Sequence, residues 1–280
     1  MSSLDKYVRK DKERVQGWFG RVDGQIFYEL LRFQNALKID GGVAEIGVHH
    51  GKSFIALCLA LEENQKAYAV DVFEDQQKNV DNSGRGNRRI FKSNLSLFDI
   101  PAVAVVIDPR ASDQVTQDDI RNAVGAVRFF SIDGGHWRQV VKNDLLLANG
   151  VLAEAGVIAL DDFMRPEWPE VSLGFFDWYE ETQKQIVPFA IGFNKLYLCH
   201  RAYLSRFQKC LEESEFLRFF FGKHCNFYDT MLPVFQSYQL PEWGRRRRLE
   251  EYLKLYHPDT YVKIRRLGQA ARAGFPRARK

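Results

Sequence analysis

Acidic residues follow two apolar, strand-like runs of this sequence, and one of the runs ends in a pair of them. SIDGGHW carries Asp133 and His136, and ALDDF carries Asp161 and Asp162. Three carboxylates without a thiol beside them favour a hard cation, Mg²⁺ above Ca²⁺ or Mn²⁺, because such ions prefer oxygen ligands. A histidine next to such an ion is suited to act as a general base, since its pKa lies near neutral pH. In the alternative reading, Asp133 and Asp162 cap helices and His136 is a surface residue.

A glycine-containing loop lies upstream, between another apolar run and a helix-like stretch. It reads EIGVHHGKS, residues 45–53. Glycines allow a tight turn and a close approach of ligand to backbone, and the start of the helix offers free N–H groups. The loop fails the GxGxxG pattern, because His49 stands at the second glycine, and GVHHGKS is one residue short of a phosphate-binding P-loop. It therefore predicts a nucleotide-like cofactor without ATP or GTP hydrolysis. A packing turn is the alternative.

An acidic residue, Asp71, ends the next apolar run, AYAVDVF. An acid at the tip of the second strand can accept hydrogen bonds from two ribose hydroxyls, as in dinucleotide-binding folds. Alternatively, Asp71 caps a helix that begins near Glu74. Together with the glycine loop, the ribose interpretation is the one we favour.

Short β-rich runs alternate with helix-like stretches from residue 42 to about residue 199, which predicts an α/β fold with a doubly wound, mostly parallel sheet. The seven predicted strands are GVAEIGV, AYAVDVF, AVAVVID, VRFFSID, GVIALDDF, IVPFAIGF and KLYLCH. The last two flank a turn with Asn194 and predict an antiparallel hairpin at one edge. Helices are expected at 24–37, 53–61, 118–125 and 139–149. Because neighbouring parallel strands end in one crevice, the acids after the fourth and fifth strands should meet there.

Three regions are expected along the chain. Residues 1–40 form an N-terminal helical cap, residues 41–200 the cofactor-binding domain, and residues 201–280 a helical extension with a basic tail. The stretch GWFGRVD, within the cap, is expected to fold over the cofactor. The aromatic segment 164–180 is expected either to face the acceptor or to pack in the core.

Composition excludes several classes of protein. The chain has 280 residues, of which 45% are hydrophobic, so it can bury a full core. It has no apolar run near the ~20 residues of a membrane span and no apolar centre of a signal peptide. Its four cysteines include no CxxC pair, which suits a reducing compartment, and we expect a cytoplasmic protein. The positive charge is concentrated in residues 245–280, which hold twelve Lys or Arg and three acids.

These motifs resemble those of class I S-adenosylmethionine-dependent methyltransferases, specifically the metal-dependent O-methyltransferases of the macrocin, mycinamicin and rhamnosyl sugar type, with cephalosporin hydroxylases as relatives. The likeness spans residues 18–200 and rests on ExGxxxGxS, Asp71, IDGGH and GVIALDDF. It implies that S-adenosylmethionine and Mg²⁺ serve as cofactors and that a sugar or glycosylated natural product is methylated on a hydroxyl. The residues that it implies for the cofactor are Glu45, Gly47, Gly51, Ser53, Asp71, Ser112 and Asp133. Those for the metal are Asp133, Asp161 and Asp162, and those for catalysis are His136, the base, and Asp133.

The sequence departs from the family where DGDH is usual, because Gly135 stands in place of an acid and Trp137 follows the histidine. Other functions are kept as alternatives. A catechol-type O-methyltransferase would more usually carry Asp-Asn than Asp161 with Asp162. A nucleic-acid methyltransferase would suit the basic tail, but no [DN]PP[YF] motif is present. A non-catalytic module should lack the carboxylates. We expect a small-molecule hydroxyl acceptor, a homo-oligomer, no nucleic acid, and contact of the tail with anionic lipids as a further hypothesis.

Overall fold

The computed structural model describes residues 2–79, 81–182, 184–236, 253–254 and 257–273. The chain divides into two compact units, Met1–Ser237 and Tyr238–Lys280. In the second unit, an α-helix runs over Pro258–Ala273, and Lys263 and Arg265 on it are exposed. The arginine run 245–248 of the predicted basic tail lies outside the described residues. Within the described part of the chain, no helix combines the length and the apolar character that crossing a membrane requires.

The first unit is a single sheet with helices on both sides. Its strands are β1 Gly42–Ile46, β2 Ala67–Val70, β3 Val105–Asp108, β4 Val127–Ile132, β5 Leu152–Asp161, β6 Ile186–Ile191, β7 Lys195–His200, β8 Phe221–Phe227 and β9 Thr230–Phe235. Its α-helices are α1 Ser3–Arg9, α2 Arg21–Ala36, α3 Phe54–Cys58, α4 Arg88–Leu97, α5 Gln117–Val124, α6 Arg138–Val151, α7 Pro169–Glu181 and α8 Leu204–Glu212, and the helix of the second unit is α9.

The strands lie in the order β3-β2-β1-β4-β5-β7-β6-β9-β8. Strands β1 to β5 are parallel to one another, and β7 runs antiparallel between β5 and β6. The predicted doubly wound sheet and its antiparallel hairpin are thereby confirmed. All residues of β1, β2 and β4 are buried, as expected for strands covered on both faces.

The described sheet differs from the prediction in having nine strands rather than seven. The sequence after residue 200 predicts helices throughout, because its phenylalanines recur at helix-like intervals. In the structure, α8 is followed by a 3₁₀ turn at Leu217–Phe219 and then by the hairpin of β8 and β9. Strand β9 joins the sheet beside β6, with Val234 opposite Ile191. Pairing with that edge overrides the local helical pattern.

Two helices of the first unit, α2 and α7, bury apolar residues in the core. In α2, Ile26, Leu30 and Leu31 are fully buried. In α7, Phe175, Trp178 and Tyr179 are fully buried and belong to the hydrophobic core. That helix therefore packs in the core, whereas the residues before it, including Trp168, reach the site.

Candidate active site

The glycine loop follows β1 and holds a fully buried carboxyl. Glu45 is 0% exposed, and its Oε1 accepts a hydrogen bond of 2.5 Å from the Ser53 hydroxyl. Its Oε2 has no hydrogen-bond partner. Burial raises the pKa of Glu45 to about 8, against the lowering effect of the Ser53 bond. The loop thus presents an unsatisfied, protonated acid at the C-terminal end of β1.

Two glycines allow this loop to take its path. Gly47 and Gly51 have φ values of 82° and 89°, in a region that other residues rarely adopt. A Cβ on Gly47 would overlap the carbonyl oxygen of Asp133, and one on Gly51 would lie 3.0 Å from the ring of Phe91. The ends of β1 and β4 are therefore in direct backbone contact.

Asp71, directly after β2, joins the same loop. Its Oδ2 accepts a bond of 2.7 Å from the backbone N–H of His49, and its Oδ1 accepts one of 2.6 Å from that of Phe73. Burial raises the pKa of Asp71, and the two backbone donors oppose that rise. Gly86 lies close to the same carboxylate, because a Cβ added to Gly86 would be only 2.6 Å from Asp71 Oδ1. The structure thus brings Asp71 together with the predicted cofactor residues, while its contact with a ribose stays a prediction.

Ser112 lies on the 3₁₀ turn after β3. A buried aspartate of α6 lies beside it, Asp144, which the sequence did not predict as a site residue. Asp144 of α6 is 1% exposed, and its Oδ2 has no hydrogen-bond partner. Burial raises the pKa of Asp144 to about 7, with a hydrogen bond from Ser112 acting against the rise. A helix-internal acid gives no sequence signal of this kind, because acids on helices are usually exposed.

The N-terminal segment lies against the glycine loop, on the side where we expect the cofactor. The Tyr7 hydroxyl donates to the carbonyl of Lys52 at 2.7 Å, and Lys52 is 3.2 Å from Glu13. The Trp18 ring is 5.4 Å from that of His49, and 72% of Trp18 is exposed. An indole ring therefore stands open to solvent beside the loop.

The second cluster stands at the ends of β4 and β5, as the sequence predicts. Asp133 follows β4, Asp161 ends β5, and Asp162 follows it. Single ligand atoms of Asp133, His136 and Asp162 lie within 4.8 Å of one another. His136 Nε2 is 3.0 Å from Asp162 Oδ2. The cluster therefore unites residues of two neighbouring strands around one small space.

Asp161 has different partners from the other two acids. Its Oδ2 is 2.6 Å from the Nζ of Lys195, which is 3% exposed. Its Oδ1 accepts from the Asn194 side-chain amide at 2.6 Å, and that amide also donates to Asp162 Oδ1 at 2.9 Å. Both oxygens of Asp161 are thus already engaged by groups of the β6–β7 hairpin. Another buried acid, Asp23, accepts a hydrogen bond from the backbone N–H of Asn194 and thereby stabilises the hairpin turn.

The electrostatics of this cluster are strongly coupled. Burial raises the pKa of Asp133 well above its ordinary value, and repulsion from Asp161 raises it further. Burial alone would lower the pKa of Lys195, but the attraction of Asp161 and Asp133 raises it overall, so Lys195 stays charged. Likewise, burial opposes protonation of His136, yet its bonds to Asp162 and Asp81 raise the pKa to about 9. The positive charge that these carboxylates require is partly supplied by the chain itself.

A divalent ion fits the part of the cluster that Lys195 does not engage. The donors there are oxygens of Asp133 and Asp162 and a nitrogen of His136, with no thiol among the atoms that meet. Oxygen-rich sets of this kind suit Mg²⁺ or Mn²⁺.

Three residues of the cluster were missed by sequence reasoning. Asn194 and Lys195 belong to the predicted hairpin, where a polar residue reads as a turn or an exposed strand end. Asp81 lies in the segment between β2 and α4, and its Oδ2 is 2.7 Å from His136 Nδ1. No pattern in the sequence links these residues to the acids, because all three reach the site through the fold.

The arrangement has counterparts among known proteins. Residues 44–163 match a family model described as a methyltransferase domain. Over this stretch, the chain is similar to methyltransferase domains. The matched range begins within β1 and ends at the residue after Asp162, so it includes the glycine loop, Asp71 and the acids that follow β4 and β5. The predicted fold class and the predicted methyltransferase resemblance are therefore confirmed.

Solved structures with a similar fold include O-methyltransferases. The O-methyltransferase NovP is 13% identical, with a TM-score of 0.54 over 63% of this chain and 78% of NovP. An O-methyltransferase structure from Klebsiella pneumoniae is 15% identical (TM-score 0.48, 70% of this chain, 88% of the other). TomG from Streptomyces achromogenes, in complex with its cofactor, is 16% identical (TM-score 0.46, 71% and 88%). At 13% identity, the likeness to NovP bears on the fold alone. No curated protein matches the chain by sequence.

Proposed function

We propose that the methyltransferase domain uses S-adenosylmethionine to methylate a hydroxyl of a small molecule, a sugar or glycosylated natural product, with Mg²⁺ as metal. The meeting of Asp133, His136 and Asp162 within 4.8 Å, one strand away from the glycine loop, supports this most directly. A glycine loop beside β1 suits a nucleoside cofactor, and an anionic pocket with a histidine suits activation of a hydroxyl.

On the cofactor side, Glu45, Gly47, Gly51, Ser53 and Asp71 would hold S-adenosylmethionine. The free Oε2 of Glu45 can accept a bond from a ligand ammonium group without losing Ser53. Asp71 can accept from ribose hydroxyls while it keeps its backbone donors, because each carboxylate oxygen has two lone pairs. Ser112, beside Asp144, would lie at the adenine end.

On the acceptor side, Asp133 and Asp162 would hold Mg²⁺, with Asp161 held by Lys195 as their neighbour. When bound, the ion makes the acceptor hydroxyl more acidic and orients it. His136 Nε2 faces the same space. A cation held by Asp162 would offset the carboxylate charge that raises the pKa of His136, so that the ring could be neutral and take the hydroxyl proton. S-adenosylmethionine, held by the cofactor-side residues, would supply the methyl group that the acceptor oxygen receives. Trp168, stacked on the His136 ring at 4.1 Å, keeps the ring in place.

The test is a methyl-transfer screen with labelled cofactor on a panel of glycosides and phenols. We expect label in a glycoside, loss of transfer with EDTA, and recovery on addition of Mg²⁺. Transfer to phenols alone would favour a catechol-type function. Transfer that is untouched by EDTA would remove the metal from the proposal.

Two aspartate variants, one in the site and one as its matched control, test whether this site controls the activity. Asp133→Asn should abolish transfer. Asp75→Asn removes an exposed acid that pairs with Lys78 at 3.0 Å, and should leave transfer unchanged. Equal loss in both variants would mean that general charge, rather than this site, controls the activity.

A further inference from the structure

An acid outside the two strand ends contacts the proposed base. Asp81 lies in the segment between β2 and α4, 55 positions from His136 in sequence. Its Oδ2 accepts from the backbone N–H of His136 at 2.9 Å and is 2.7 Å from the ring Nδ1. The side chains of Asp81 and His136 are only 7% and 10% exposed. Because Asp81 makes two buried contacts with His136, it fixes both the backbone and the imidazole ring of that residue.

The other oxygen of Asp81 is used within its own turn. Its Oδ1 accepts from the backbone N–H of Ser83 at 3.0 Å and from the Ser83 hydroxyl at 2.6 Å. Four donors therefore surround this one carboxylate, and hydrogen bonds to the ionised form hold the pKa of Asp81 well below its usual range. With its lone pairs so engaged, Asp81 is an acceptor for His136 and not a further metal ligand.

The ring of His136 is restrained on three sides. Asp81 faces Nδ1, Asp162 faces Nε2 at 3.0 Å, and the indole of Trp168 covers a face of the ring with an interplanar angle of 16°. The two ring nitrogens differ in their surroundings, because Nδ1 faces a carboxylate outside the candidate metal site, whereas Nε2 faces the carboxylates of that site. Which nitrogen carries a proton is set by the hydrogen bond that the other one makes.

We propose that Asp81 is a positioning residue that accepts the Nδ1–H of His136 and thereby presents Nε2 to the acceptor hydroxyl. Without that acceptor, the ring can turn or carry its proton on Nε2, where it cannot take another. This role rests on the proposed function for what His136 does to a substrate. The contact itself is independent of it.

The contact can be tested on the free protein by NMR. In protein labelled with ¹⁵N-histidine, we expect a slowly exchanging ring proton on Nδ1 of His136, assigned by its loss in His136→Ala. The signal should vanish in Asp81→Ala and persist in Asp75→Asn, which removes an acid from the same inter-element segment. Asp81→Asn keeps an acceptor oxygen and should retain the signal in part. A signal that survives in Asp81→Ala, or that is absent from the unaltered protein, overturns the proposal.

The positioning role is tested with an acceptor found in the screen. Asp81→Ala should lower kcat ~10- to 100-fold, the range for residues that orient an active group, with S-adenosylmethionine affinity unchanged. In a chain that already carries His136→Ala, Asp81→Ala should cause no further loss, because it acts through the histidine. Additive losses would show that Asp81 acts independently of His136 and would overturn the role. If no acceptor is methylated but the Nδ1 signal behaves as expected, the proposed function fails and the contact stands.

Discussion

The two halves of the site are built differently. On the cofactor side, the hydrogen bonds to the acids come from within 22 positions in sequence. Ser53 donates to Glu45 over 8 positions, and His49 and Phe73 donate to Asp71 over 22 and 2 positions. On the acceptor side, His136 and Asp161 depend on Asp81 and Asn194, at separations of 55 and 33. The cofactor side is therefore a local product of strand and loop, whereas the acceptor side exists only when distant elements have come together.

The halves also differ in charge. The carboxyl of Glu45 is neutral at pH 7, since burial raises its pKa to about 8. Across the site, Asp162 stays ionised because the bonds from His136 and Asn194 outweigh burial and lower its pKa. On the cofactor side, the buried carboxyl of Glu45 thus carries no charge at neutral pH. On the acceptor side, several charged groups balance one another.

The largest expected effect belongs to the acceptor half. His136→Ala should lower kcat by roughly 10²- to 10⁴-fold, the contribution of a positioned general base. Binding of S-adenosylmethionine, measured by calorimetry, should be largely kept, because the ring lies outside the cofactor residues. Collapse of cofactor binding instead would mean that the two halves are not separable.

The next effect concerns the balance of charge. Lys195→Met should lower the free energy of unfolding by ~3–5 kcal/mol, since it leaves buried carboxylates without their cation. The measurement is urea unfolding of the cofactor-free and metal-free protein. Lys142→Met removes a lysine whose partner Glu181 is 61% exposed, and should cost only ~0–1 kcal/mol. If the two lysines prove equivalent, Lys195 does not balance the acids.

A smaller effect is expected on the cofactor side. Asp71→Asn should weaken binding of S-adenosylmethionine by about tenfold, or ~1.4 kcal/mol, as for the loss of a charged hydrogen-bond acceptor. The value of kcat at saturating cofactor should change little. A fall in kcat with unchanged affinity would place Asp71 in the wrong half of the site.

The smallest effect is a dependence of stability on pH. A raised pKa in the folded state means that Glu45 contributes stability below its ordinary pKa of 4.5 and loses it as pH rises towards about 8. The cofactor-free protein should therefore lose at most ~1.4 kcal/mol per pH unit in that window through this group. Glu45→Gln should flatten that slope in urea unfolding series from pH 5 to 8. An unchanged slope would assign the dependence to other groups.

The difference between the cofactor half and the acceptor half of the site explains which features the sequence could predict. Apolar runs, a glycine loop and acids at strand ends are local patterns, so the parallel sheet and the grouping of Asp133, His136 and Asp162 follow from them. The roles of Asp81 and Lys195 do not, because a loop aspartate and a strand lysine are ordinary surface residues in most sequences. Strands β8 and β9 were also not predictable, since the pairing of β9 with β6, which adds this hairpin to the sheet, is a tertiary contact that outweighs local preference.

The touching ends of β1 and β4 give Gly47 a further importance. Its side chain is a single hydrogen atom, and a Cβ in its place would overlap the carbonyl oxygen of Asp133. Alanine at position 47 should therefore push the two strand tips apart. Under the proposed function, that shift would lengthen the path of the methyl group, so that the distance of transfer would depend on the smallest residue in the chain.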